Sequence, residues 1–186
     1  MMLKNRLTAL VAVAAVAVPA IAFAAAKYSK APDTKEHASF VNILGTAPGV
    51  SFTAKADSSN IKVEDDGTVI KVSIDGTKLQ TGMKLRDDHM KSQVFAKGKT
   101  VVLSVTHADL DAGLKSGSVK GTLKFSDKEA KPIVIKGASL SGGVVKGKIS
   151  TSRSALGIPE ACMPPVNVPC VKDPLEVDAS INIKAN

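Results

Sequence analysis

From about residue 38 onward, apolar and polar positions alternate with a period of two. Ile70, Val72 and Ile74 are interleaved with Lys71, Ser73 and Asp75. Val101, Leu103 and Val105 alternate with Thr100, Ser104 and Thr106, with Val102 on the outer face. Val119, Gly121, Leu123 and Phe125 alternate with Lys120, Thr122, Lys124 and Ser126; Leu175, Val177, Ala179, Ile181 and Ile183 alternate with Glu176, Asp178, Ser180, Asn182 and Lys184. Successive strand residues point to opposite faces, so each run predicts a strand with one buried and one wet face, as in antiparallel sheets. Shorter runs at 38–45, 49–55, 60–65, 131–137 and 143–150 extend the series. Asp66-Gly67, Ser116-Gly117, Gly142-Gly143 and Asp173-Pro174 supply turn signals. Strands buried on one side must close on themselves or pack as two sheets. Gly121 and Gly147 fall on the inward face, where a missing side chain lets a sheet bend sharply. The expected fold is therefore all-β, an antiparallel barrel of eight or nine strands.

Gly82 to Ser92 is the one segment read as breaking the pattern. Met83 and Met90 are seven apart on one side, Thr81 stands where an N-cap would, and Lys84 with Asp88 and Asp88 with Lys91 have helical pairing distances. A short helix covering one end of the barrel is expected.

The N-terminus sets the expected address. Lys4 and Arg6 precede Leu7 to Ala22, which is free of charge, and Ala22-Phe23-Ala24 and Ala24-Ala25-Ala26 offer two small-x-small cleavage registers, after Ala24 or Ala26. This is the pattern of a secretory signal peptide. A membrane anchor needs about 20 continuous apolar residues; the candidate here is Ala-rich and interrupted by Pro19. The expected organisation is a signal peptide at 1–26, a flexible leader at 27–36 and a barrel domain at 37–186, with the mature protein in the periplasm or secreted. Of 25 basic residues two lie in the signal segment, which carries none of the 17 acidic ones, leaving a net charge of +6. The lysines are dispersed and aromatics few, whereas a nucleic-acid binder shows a basic stripe with stacking rings. No nucleic-acid partner is expected; a transient contact with anionic membrane is compatible with this charge.

Cys162 and Cys170 flank a segment with three prolines, and in an exported protein two cysteines predict a disulfide. Such a bridge would stabilise by roughly 2.5 kcal/mol on the chain-entropy model. Catalytic patterns are thin. There is no G-x-S-x-G, Walker or Rossmann glycine loop, and His37, His89 and His107 are widely spaced, so no metal and no cofactor is expected. Arg86-Asp87-Asp88-His89 is the densest polar cluster. Asp88 beside His89 offers acid–base chemistry, but a helix that anchors itself through these groups is the favoured reading.

Several motifs resemble the YceI-like, polyisoprenoid-binding family of periplasmic proteins. Val72-Ser-Ile-Asp75, Leu79-Gln-Thr-Gly82 and Leu85-Arg-Asp-Asp-His-Met-Lys-Ser92 are similar to its strand, its Thr-Gly step and its Arg-Asp-x-His helix. His37-Ala-Ser39 resembles the opening of the domain, and Val119–Phe125 with Lys131–Val134 its hairpin. Lys146–Ile158 is similar to its serine-rich stretch, and Asp173–Ile183 to its closing strand. The stretch 94–100 lacks the aromatic pair usual there, and the segment between Cys162 and Cys170 is an addition. The resemblance implies a lipocalin-like barrel holding a polyisoprenoid, an isoprenoid quinone or a fatty-acyl amphiphile, and no enzymatic activity. The inward candidates for lining it are Phe40, Phe52, Ile74, Met83, Met90, Phe95, Leu103, Val105, Leu123, Phe125 and Ile181. Arg86, Asp87 and His89 form the motif helix; Arg86 or His89 could meet a polar head group, although anchoring the helix is the expected role. Two alternatives stand beside this: a filled-barrel envelope protein acting through protein contacts, and a small hydrolase using His89 and Asp88. The sequence gives no oligomeric state.

Overall fold

The computed structural model describes residues 28–34, 36–47, 50–96, 99–158 and 171–185. The expected signal peptide, Cys162 and Cys170 lie outside the described residues. Each alternating run forms a strand, and one further strand precedes them: β1 Tyr28–Lys30, then β2 Phe40–Ala47, β3 Val50–Ala56, β4 Ile61–Asp65, β5 Val69–Asp75, β6 Thr100–Thr106, β7 Ser118–Phe125, β8 Lys131–Ser141, β9 Val144–Thr151 and β10 Lys172–Ala185. Helix α1, Lys84–His89, continues as a π-helical turn over Met90–Val94, and α2 spans His107–Ser116.

All pairings between these strands are antiparallel, in the order β3-β2-β10-β9-β8-β7-β6-β5-β4. The result is a nearly closed barrel. Inward rungs match across it: Val41 faces Ala56 and Ala179, Ile43 faces Ala54 and Val177, and Val72 faces Val63 and Leu103. The β8–β9 hairpin turns through Gly142 and Gly143, whose φ values of 56° and 80° are left-handed and suit glycine. Gly147 lies across from a register shift between Lys136 and Ser139, so strand β8 bends there.

Three features depart from the expectations. The segment 27–36, read as a flexible leader, contributes β1, which pairs Tyr28, Ser29 and Lys30 with Ala185, Lys184 and Ile183 of β10. The Tyr28 amide donates to Asp65 Oδ2 at 2.8 Å, so this strand also reaches β4. At the other end of the same seam, Lys55 of β3 bridges Gln80. Asp173-Pro174, read as a turn, falls within β10, at the register irregularity against β2 between Lys172 and Glu176. There Asp173 accepts from the Ser152 and Ser154 hydroxyls at 2.8 and 2.7 Å and the Arg153 amide at 2.5 Å.

The third is α2. Thr106 caps it, accepting from the Asp109 amide at 3.0 Å while its hydroxyl donates to the Asp109 carboxylate at 2.6 Å. It buries Leu110 and Gly113 and ends at Gly117. Because α1 precedes β6 and α2 follows it, the two helices occupy opposite ends of the barrel.

Candidate functional site: the barrel interior and its rim

Both ends of the barrel are tightly packed. At the α1 end Leu79 and Phe125 are each 1 % exposed, Val94 and Phe95 are buried, and the Phe95 and Phe125 rings meet edge-on at 5.5 Å. At the α2 end Val119 and Leu110 are buried, and the Tyr28 ring stands edge-on to His107 at 5.6 Å. Between them, several inward positions are half-buried. On β5, Ile70 and Ile74 are buried and Val72 between them is half-buried. On β10, Leu175 and Ile181 are buried while Val177 and Ala179 are half-buried. Ile43, Val63, Leu103 and Ile135 are likewise half-buried on four more strands and pack against the buried core. The inward wall is aliphatic along its length.

At the rim beside α1 lies a space of about 600 Å³. Its described lining draws on inward positions, Gly45 and Phe52, and outward ones, Leu44, Thr53, Lys55 and Glu176; Thr46, Ser51, Thr81, Arg86 and Pro174 complete it. The residues from both faces place it at the β3 edge. Gly45 pairs with Phe52, and a Cβ at Gly45 would run into the Phe52 ring. On the ring's account the Arg86 guanidinium stacks 4.9 Å from its centroid.

The motif helix is assembled locally. Thr81 is not its N-cap; Met83 occupies that place, and the Thr81 amide and hydroxyl instead donate to Asp87 Oδ1 at 2.7 and 2.6 Å. Asp88 pairs with Lys84 at 2.7 Å, which holds its carboxyl below the ordinary range, most of all through that hydrogen bond. A base tuned for neutral pH requires the opposite shift, and Asp88 engages Lys84 rather than the imidazole. The acid–base pair proposed from the sequence is not formed. His89 keeps Nδ1 buried with no partner.

The sequence-derived lining residues divide into three groups. Leu103 is half-buried on the inward face and packs against the core, in which Ile74, Phe95, Val105, Leu123, Phe125 and Ile181 are buried. Phe52 and Met90 are half-buried on the α1 side. Phe40 and Met83 are 37 % and 49 % exposed and do not face inward: the inward register of β2 starts at Val41, and Met83 precedes the first turn of α1. Ile43, Val63, Val72, Ile135 and Val177 are interior residues the candidate list lacked, although the period-two pattern marks them. The rim residues Thr46, Ser51, Thr53 and Glu176 sit at polar positions that no motif distinguishes. Among the described residues no helix is long and apolar enough to cross a membrane.

No protein-family model and no curated protein matches the chain. Solved structures do. A polyisoprenoid-binding domain from Saccharophagus degradans, implicated in plant cell wall breakdown, superposes with a TM-score of 0.58 at 14% identity, covering 87% of this chain and 99% of that one. Burkholderia cenocepacia BcnA superposes with a TM-score of 0.52 at 15% identity, covering 78% and 96%. Identity this low establishes the fold: this chain has the barrel of the polyisoprenoid-binding domain, the fold that its resemblance to the YceI-like family implied.

Proposed function

We propose that the protein is a periplasmic binding protein for an apolar or amphiphilic lipid, of the polyisoprenoid or isoprenoid-quinone class, held in the barrel interior. The observation that carries this reading is the continuous aliphatic inward wall between closely packed ends, with Ile43, Val63, Val72, Leu103, Ile135 and Val177 half-buried at its middle. Such a wall offers hydrocarbon contact and no hydrogen bonds, so it suits a lipid chain, whose burial contributes about 0.8 kcal/mol per CH₂. The fold shared with a domain named for binding polyisoprenoids supports the ligand class, and the N-terminal leader pattern supports export. Met83 and Leu85 are exposed at the start of α1 with Lys84 between them, a surface suited to brief contact with an anionic bilayer during loading.

The test is native mass spectrometry of protein recovered from the periplasm, with solvent extraction of the bound material. A leader-cleaved mass with a discrete lipid adduct is expected. A mass without adduct, unchanged after incubation with quinones, polyprenols and fatty acids, would overturn the proposal.

A further inference from the structure

Resting on the lipid-binding reading, we infer that the rim space beside α1 is a head-group site that selects amphiphiles with an anionic head, phosphate or carboxylate, over neutral ones of the same chain. Three observations converge there. Gly45 lies one inward position along β2 from Ile43, so the rim adjoins the apolar wall. A lipid whose chain lay against Ile43 and Val177, with its head toward the β3 edge, would bring that head past Phe52 to the rim.

The second observation is the state of Arg86. Its neighbours are committed elsewhere, Asp87 to Thr81 and Asp88 to Lys84. Among the described residues no carboxylate pairs with Arg86; its contact is the face of Phe52 at 4.9 Å. Stacking holds the guanidinium plane while leaving its N–H edge free for the bidentate bonds that phosphate and carboxylate accept.

The third is the surrounding chemistry. Lys55 adds a second positive charge, and Thr46, Ser51 and Thr53 add hydroxyls. Glu176 is the one carboxylate among the described lining residues, so two cations face one anion. A neutral head would leave the guanidinium edge in water and gain little from this arrangement.

Calorimetric titration of the mature protein, stripped of bound lipid, with farnesyl phosphate, farnesol, palmitate and hexadecanol tests the site. An anionic ligand binding about tenfold tighter than its alcohol is expected from charge-assisted hydrogen bonding. Arg86→Gln should erase that preference with alcohol affinity unchanged, and Arg86→Lys should keep part of it; thermal melting of each variant checks the fold. Preference for the phosphate alone or the carboxylate alone identifies the head. Equal binding of acid and alcohol by the wild type, or a preference that survives Arg86→Gln, overturns the head-group site while the lipid-binding reading stands. Failure of all four ligands to bind overturns both.

Discussion

His107 Nε2 lies 2.9 Å from Oδ1 and 3.0 Å from Oδ2 of Asp65, a carboxylate with no solvent exposure. The same group accepts from the amides of Tyr28 and Gly67 at 2.8 Å each. One side chain thus joins β1, β4 and α2 where the sheet would otherwise stay open.

Asp65→Asn should therefore cost about 2 kcal/mol, the scale for weakening hydrogen bonds to a buried carboxylate, read as a lower urea midpoint at pH 7. Amide exchange at Tyr28 and Lys30 should accelerate more than exchange in β7, because β1 loses its tie to β4.

The same carboxylate makes a pH prediction. Burial alone would raise its pKa, but the amides of Gly67 and Tyr28 and the His107 imidazole together outweigh burial and lower it. A carboxyl depressed on folding contributes stability that is present above its unfolded pKa of about 3.9 and disappears as pH falls through the folded value. The stability gap between wild type and Asp65→Asn should shrink as pH falls below about 4. A gap that persists undiminished at lower pH would assign the loss to packing.

Filling the interior should separate folding from binding. Leu103→Trp places a large ring on the inward wall where Leu103 is half-buried. Overpacking in a dense core costs about 1–3 kcal/mol; an interior that takes a lipid, as proposed, should take the ring at about 1 kcal/mol or less, while lipid carried through purification falls at least about tenfold. The chain has no other tryptophan, so the new ring also reports on ligand by fluorescence. Undiminished lipid in a folded Leu103→Trp protein would move the ligand out of the barrel.

Gly76→Ala should act on the sealed end. A Cβ there would overlap the ring of Phe95, which is buried and meets Phe125 edge-on. Displacing that ring should cost about 2 kcal/mol, measured by thermal melting, and should open the α1 end to a water-soluble fluorescent probe that the wild type excludes.

The barrel was legible because its core obeys one period. Each predicted strand formed, and the inward face of β5, β6, β7 and β10 is the one the alternation marks. β1 escaped because Tyr28-Ser29-Lys30 is too short to show a period; its pairing with β10 sets its conformation. α2 escaped although Thr106-x-x-Asp109 is a capping signature and Leu110, Gly113 and Leu114 have helical spacing. The interior was half-legible: alternation says which residues face inward, but whether they meet across the barrel depends on strand number and stagger, which no single strand encodes. The rim was least legible, since the Arg86–Phe52 stack joins residues whose proximity arises only when β3 and α1 come together.

Strand β10 holds β9 along one side and β2 and β1 along the other. Its Asn182 amide donates to the Ser39 hydroxyl across a sequence separation of 143 residues. Hairpins from β4 to β9 assemble from neighbours, but the circle is completed by segments from opposite ends of the chain. Closing so long a loop is the slow kind of step in folding. Until it happens the molecule is an open sheet with its aliphatic face uncovered and two free edges. In that interval a lipid chain and a second unfolded copy compete for the same surface, so lipid supply during folding should set how much of the protein reaches its closed form and how much aggregates.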